Sequence, residues 1–398
     1  MLTSNALNPV WETEDYLMLR KSVKDFCRDE VLNAKREGKP LVQWMDENEE
    51  TPEELWQKLA GLGVFGVSLP EQYGGFEMGK IGACIVSDEL GYVDPAFALA
   101  VGAHMSLASE AIALFGNDEQ KERYLSDLVS AKKIGALAST EQGVGSDVAS
   151  MSTMAEKVDG GWVVNGNKQF ITNAEIADVM VIIAQTQKGG GNKTMAMFIL
   201  DLPSDGIKGM VREEKMGLHA SLTNSFAIED VFIPDNNLMG EVGGGFKMLM
   251  NVFNRSRITL AGCCVGMMRR AIDEAWNYTW DRRVFGKRIL EFPTTHEKLA
   301  EMEVLKTLVE SMTFDAAWRV DRGLDVKKFG AIAKYAGSEM AFKCIDSALQ
   351  LHGGQGYMKS YAVEKLFRDV RAWRIFEGTS LIQLFTVFRS DLKTRLGM

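Results

Sequence analysis

The stretch "KMLMNVFNRSRITLAGCCVGMMRRAIDEAWNYTWDRR", Lys247 to Arg283, contains no proline and keeps helical apolar spacing from end to end. A helix that long has to bury its apolar face against other long helices. The stretches from Met302 to Arg322 and from Val326 to Leu351 offer such partners, and the three predict a helical bundle. Upstream, Leu19, Val23 and Phe26 share one helical face. In "TPEELWQKLAGLG", Thr51 and Glu54 have capping-box spacing, Pro52 takes the first helical position, and Gly61 and Gly63 end the helix. "NDEQKERYLSDLVSAKK" predicts another helix, capped by Asn117 or Asp118, with Tyr124, Leu125 and Leu128 inward.

Between these helical parts the pattern changes near Gly135. "MSTMAEKVDGGWVVNGNKQFITN", "VMVIIAQT", "TMAMFILDL" and "SFAIEDVFIP" are short apolar runs separated by Asp-Gly-Gly, Asn-Gly, a triple glycine and Pro203. Helix, strand and helix in that order predict an α+β protein. Its expected parts are an N-terminal helical domain over 1–132, a middle β-barrel or sandwich over 133–240, and a C-terminal four-helix bundle over 241–398. With 46% hydrophobic residues, each unit is expected to have its own core.

A net charge of −9, with basic residues interspersed among acids as in "KSVKDFCRDE", argues against a nucleic-acid partner. No apolar run is expected to reach the length of a membrane span, so no integral membrane contact is predicted. "MLTSNALNPVWETEDY" lacks the basic and apolar regions of a leader, which predicts a cytoplasmic bacterial protein or a mature mitochondrial matrix form. The five cysteines form no CxxC and are expected to be reduced and buried. The four histidines lack metal-ligand spacing, so no metal is expected, and neither GxSxG nor GxxxxGK[ST] occurs.

Four segments could carry chemistry. "ALASTEQGVGSDVAS" crowds Thr140, Gly143, Gly145, Ser146 and Asp147 into one loop, fitting both a ligand-facing loop and an ordinary turn. In "KQFITNAEIAD", Phe170 and Thr172 share a strand face, fitting either a ligand wall or a core position. "WDRRVFGKRI" puts Arg282 and Arg283 at a helix end, where they suit either a pyrophosphate or the helix dipole. "QLHGGQGYMKSYAVEKLFRDVR" follows a helix rather than a strand, which disfavours a nicotinamide fingerprint. "RIFEGTSLIQ" adds Glu377 between an aromatic residue and glycine; taken alone, a glutamate at a helix start is more often a cap or a solvated charge than a catalytic group.

Taken in order, "TEQGVGSD", "KQFITN", "MGLHASLTNSFAIEDVFIP", "RRVFGKRI", "GGQGY", "LFRDVR" and "FEGTS" closely resemble the acyl-CoA dehydrogenase family across essentially the whole chain. The resemblance implies an FAD-dependent enzyme acting on an acyl-CoA. It implies electron transfer to an electron-transfer flavoprotein, in a homotetramer or homodimer. It also implies that Leu137, Ser139, Thr140, Gly145, Ser146, Phe170 and Thr172 line the flavin ring. By the same resemblance, Arg282, Phe285, Gln350 and Gly354 would come from a neighbouring subunit to hold the pyrophosphate and adenosine end, with Thr379 nearby. Ser146, Asn254, Arg257, Phe376 and Gly378 would face the substrate.

Glu377 is then the base that removes the α proton. Its backbone N–H, with a flavin ribityl hydroxyl, would bind the thioester oxygen, and dehydration would raise its pKa. A family subset carries the base on the long helix; here that position is Ser256, which supports Glu377. Gln142 replaces a proline and predicts a looser loop, and Phe292-Pro293 replaces a common Phe-Gln. The segment after Val93-Asp94, "PAFALAV", lacks the arginine of the glutaryl-CoA branch, disfavouring a short dicarboxylyl substrate. The family also leaves open an oxygen-using oxidase or monooxygenase, or a dehydrogenase for branched or alicyclic acyl groups.

Overall fold

The computed structural model describes residues 11–397, so most of the N-terminal segment read for a leader lies outside the described residues. Seven helices come first: α1 (Glu14–Phe26), α2 (Leu41–Asn48), α3 (Glu53–Gly61), α4 (Gly79–Val93), α5 (Pro95–Ala103), α6 (Glu110–Phe115) and α7 (Asp118–Val129). A small hairpin, β1 (Lys35–Arg36) with β2 (Lys39–Pro40), precedes α2, and a π-helical turn, His104–Ser109, joins α5 to α6.

Local chemistry accounts for several of these boundaries. Asn117 Oδ1 accepts the Gln120 N–H at 2.8 Å while Gln120 Oε1 accepts the Asn117 N–H at 3.0 Å, a reciprocal cap for α7. The capping box expected at Thr51 does not form. Helix α3 starts only after Pro52, and the Thr51 hydroxyl donates instead to the Ala220 carbonyl at 2.8 Å. With its side chain turned toward that distant carbonyl, the Thr51 oxygen accepts from no N–H of α3 among the described residues.

An eight-stranded sheet follows: β3 (Gly135–Ala138), β4 (Met154–Val158), β5 (Gly161–Thr172), β6 (Val179–Gln185), β7 (Met195–Asp201), β8 (Ile207–Arg212), β9 (Thr223–Pro234) and β10 (Leu238–Met239). The path runs β10-β7-β6-β4-β5-β9-β8, with β3 parallel to β6. Strand β6 is buried on both faces. Val179, Val181 and Ile183 pack toward helices, and Met180, Ile182 and Ala184 toward a core with Phe198 and Phe226.

The C-terminal part has α8 (Gly245–Asp281), a hairpin of β11 (Arg283–Val284) and β12 (Lys287–Arg288), α9 (Pro293–Asp321), α10 (Lys327–His352), α11 (Ala362–Trp373) and α12 (Ser380–Leu396). Pro293 opens α9 at the first helical position, where its missing N–H costs nothing. The expectation of separate cores is corrected here. Phe26, Leu59 and Phe97 of the first helices share one core with Met268, Ile345 and Trp373 of the last. Pro95–Phe115 also corrects the expectation that no apolar run reaches membrane length: it is a 21-residue helical run, mostly buried inside the protein. Such a helix is apolar all round because protein surrounds it. All five cysteines are free and buried.

Candidate active site

Glu377 sits in the turn between α11 and α12, with φ 50° at Glu377 and 90° at Gly378. A left-handed glutamate is unusual and needs outside support. Three side chains supply it from two other helices and α12. Arg257 Nε donates to the Glu377 carbonyl at 2.9 Å, Lys334 Nζ to the Gly378 carbonyl at 2.8 Å, and Gln383 Nε2 to Gly378 at 2.8 Å and Glu377 at 3.2 Å. A Cβ at position 378 would lie 2.7 Å from Gln383 Nε2 and 3.2 Å from Arg257 Nη2, so Gly378 is fixed by both conformation and space.

The carboxylate points onto α8, where Ser256 Oγ donates to Glu377 Oε2 at 2.5 Å. Burial pushes the Glu377 pKa upward, opposed by the Ser256 hydrogen bond and by the charges of Arg257, Lys334 and Lys80. Burial likewise lowers Lys334, to about 8. Phe376 packs edge-on against Trp373 at 5.1 Å. Asn254 Oδ1 accepts from Arg257 Nη1 at 3.0 Å, so the two residues assigned to substrate from α8 are coupled to each other and to the Glu377 turn. No acceptor for the Glu377 N–H is found among the described residues. Sequence reasoning missed Lys334 and Gln383, since both act on backbone carbonyls.

This hydrogen bond yields a signed expectation. The Ser256 hydroxyl stabilises the ionised carboxylate, so Ser256→Ala raises the Glu377 pKa further. The acid limb of a kcat/KM–pH profile should move upward by about one unit, the equivalent of a modest hydrogen bond to a charge. An unmoved limb would mean the hydroxyl does not act on this carboxylate.

The second group lies on the sheet. Gln169 N–H donates to the Thr140 carbonyl at 2.9 Å, bringing the Leu137–Ser146 segment beside Phe170 and Thr172. Lys168 Nζ holds both the Ser139 carbonyl, at 3.3 Å, and the Glu141 carboxylate, at 2.9 Å. A register shift between Lys168 and Ile171, with φ 60° at Phe170, turns that ring outward to 57% exposure. The core reading of Phe170 is thereby set aside. Gly145 and Ser146 are exposed, with open space around Gly145. The loop is also tied where looseness was expected: the Gln142 N–H donates to Asn167 Oδ1 at 3.3 Å, a bond that proline could not make.

The third group lies elsewhere. From Arg257 to Arg282, α8 rises about 37 Å at roughly 1.5 Å per residue. Phe285 and Gly286, with φ 49° and 78°, form the tip of the β11–β12 hairpin, and Phe285 is 96% exposed. Gln350 and Gly354, at the end of α10, are also exposed. A cleft of about 400 Å³ between these segments is lined by Tyr278, Arg282, His352, Gln355 and Tyr361, among others. Thr379 caps α12 through the Ile382 N–H at 3.4 Å, close to Glu377 in sequence and far from this cleft.

Comparison with known proteins matches three successive family domains. They are the acyl-CoA dehydrogenase N-terminal domain over residues 13–132, the middle domain over 136–231 and the C-terminal domain over 243–391. The chain belongs to the acyl-CoA dehydrogenase family, whose members are FAD-dependent oxidoreductases. Its relatives include the 3-(aryl)acrylate reductase of Clostridium sporogenes, 33% identical over 96% of this chain and 99% of that one. Subunit CarC of the caffeyl-CoA reductase-Etf complex of Acetobacterium woodii is 34% identical over the same shares. Among solved structures, butyryl-CoA dehydrogenase from Megasphaera elsdenii superposes with a TM-score of 0.92 at 32% identity, covering 96% of this chain and 98% of that one.

Proposed function

We propose that the chain catalyses α,β-dehydrogenation of an acyl-CoA thioester to the 2-enoyl-CoA, with Glu377 as the base. The observation that carries this reading is the half-buried Glu377 carboxylate, its pKa raised by desolvation, held in a left-handed turn by Arg257, Lys334 and Gln383. A base partly withdrawn from water in this way removes a carbon-bound proton more readily than a hydrated carboxylate. As the α proton moves to Glu377, negative charge grows on the thioester oxygen. The Glu377 N–H is available to receive that oxygen. When bound, FAD supplies the acceptor for the hydride that leaves the β carbon, so that the double bond forms with proton and electron pair both accounted for.

The residues on the sheet fit a flavin. Phe170 offers an exposed aromatic face, Thr140, Ser146 and the adjacent backbone offer polar contacts, and Gly145 leaves room, while Leu137 and Ser139 are buried and Thr172 is half-buried. Arg282, Phe285, Gln350 and Gly354 lie too far along α8 and α10 to serve the same flavin as their own chain's Glu377. We assign them to the pyrophosphate and adenosine of a neighbouring copy's FAD, in a homotetramer. On this reading Phe285→Ala weakens FAD retention at least about tenfold, by loss of an aromatic contact. Dialysis of holoprotein followed by the flavin band measures it, and unchanged retention would remove Phe285 from the cofactor site.

Electron-transfer flavoprotein is the proposed electron acceptor. Support comes from the Etf complex to which one relative belongs by name and from a structural neighbour described with the electron transferring flavoprotein of Acidaminococcus fermentans. The reductase names of two relatives favour a second reading, the same chemistry run toward saturation, in which protonated Glu377 returns the proton to the α carbon. Anaerobic mixing with acyl-CoA and, separately, with enoyl-CoA plus reductant decides the direction. Failure of both to change the flavin spectrum contradicts the proposal.

A further inference from the structure

Lys334 of α10 is 1% exposed, among the largest fully buried side chains of the protein. Its place follows from the glycines on either side of it. A Cβ at Gly330 would lie 2.4 Å from the Asn254 carbonyl oxygen, and one at Gly337 would lie 3.3 Å from Ala261, so the turns flanking Lys334 press directly on α8. Positions 330, 334 and 337 share one helical face. The Lys334 side chain therefore enters the seam between α8 and α10, and its ammonium reaches the catalytic turn at the Gly378 carbonyl, 2.8 Å away.

That carbonyl is its one hydrogen-bond acceptor, and no carboxylate stands within ion-pair distance of it, among the described residues. Glu339, on the same helix, is taken by Arg374 at 2.8 Å and by the Ser380 hydroxyl. Helix α8 presents Arg257, a second cation, and the buried Cys264 thiol, while α12 presents Gln383, which donates to the same Gly378 carbonyl. The charge that favours the Lys334 ammonium most is Glu377, and Lys334 in turn favours the ionised Glu377. Burying an ammonium against a single carbonyl disfavours folding. A group kept against that cost beside a base is a candidate for a part in the reaction.

Resting on Glu377 as the base, we propose that Lys334 is a positioning residue for the dehydrogenation and sets its alkaline limit. Protonated, it fastens the Glu377–Gly378 turn and opposes protonation of Glu377 from solvent; deprotonated, it does neither. When the α proton reaches Glu377 the carboxylate becomes neutral, and the charges of Arg257 and Lys334 then support the negative charge that has moved to the thioester oxygen. Loss of the Lys334 proton removes half of that support. Burial brings its titration down to about 8, within reach of an ordinary pH profile.

The test follows flavin reduction by butyryl-, hexanoyl- or octanoyl-CoA, whichever is fastest, in the FAD-loaded protein from about pH 5 to 10. Wild type should rise along an acid limb and fall along an alkaline limb near 8. Lys334→Met should lower kcat about tenfold or more with KM little changed, shift the acid limb upward by about one unit, and lose the alkaline limb. Lys334→Arg, a cation throughout that range, should keep the wild-type acid limb and also lack the alkaline one. Should it fail to fold, Lys334→Gln, which keeps a donor without the charge, should show the limbs of Lys334→Met.

Denaturant unfolding gives a reading independent of turnover. Folding lowers the Lys334 pKa from 10.5 to about 8, so between these values the unfolded chain binds more protons, and wild-type stability should rise with pH relative to Lys334→Met. A flat difference across that window, or wild-type limbs in Lys334→Met, overturns the proposal. If wild type neither reduces flavin nor exchanges the α proton of any thioester, the base reading fails and this proposal with it. Turnover with unmoved limbs removes this proposal alone.

Discussion

Glu377→Gln should abolish most of the flavin reduction by an acyl-CoA, by about 10⁴-fold, the upper end of general-base contributions. Glutamine preserves size and can still accept from Ser256 Oγ, so the left-handed turn and its braces at Arg257, Lys334 and Gln383 should persist. FAD should remain bound, because the residues assigned to it lie on the sheet, on the distant hairpin and at the end of α10. Stopped-flow absorbance of the oxidised flavin band under anaerobic conditions gives the rate. A loss of less than about tenfold would place the base elsewhere. Ser256, the position used by the alternative family arrangement, has no carboxylate to offer.

The second large effect is on stability. Lys168 and Glu141 are fully buried at the root of the loop assigned to the flavin, 2.9 Å apart, and Glu141 also accepts from the Ser152 N–H at 2.6 Å and the Thr153 N–H at 3.0 Å. Burial alone would raise the Glu141 pKa, but Lys168 and these donors outweigh it and hold it at about 2. Lys168→Met leaves a buried carboxylate without its cation and should cost about 3–5 kcal/mol, read from denaturant unfolding. The Glu141 contribution is depressed-carboxylate stability: fully present above the ordinary value of 4.5 and lost as the pH falls toward 2. Wild-type stability should therefore decline through that acid window. A Lys168→Met protein as stable as wild type would show that the pair is dispensable.

Much of the architecture was legible because it rests on periodicity and local chemistry. The uninterrupted α8 pattern, the reciprocal cap at Asn117 and Gln120, and the glycine-separated strands all act within a few residues. The failures share a cause in long-range partners. Thr51 gave up its cap for Ala220, Pro95–Phe115 is apolar because other elements enclose it, and the first and last helices merged into one core. Glu377 was legible from its motif, but its braces were not. Lys334 lies among small residues in "AIAKYAGSEMA", and nothing in that spacing says that its ammonium reaches the Gly378 carbonyl on another element.

The exchange of substrate α protons with solvent deuterium, followed by mass spectrometry, tests the role of Glu377 most directly, since it reports proton removal whether or not hydride transfer follows. Wild-type protein should incorporate deuterium at the α carbon of the acyl-CoA, and Glu377→Gln should not. Glu377→Gln combined with Ser256→Glu should recover part of the exchange, because position 256 already touches the Glu377 carboxylate. Exchange at the wild-type rate in Glu377→Gln would contradict the assignment of the base.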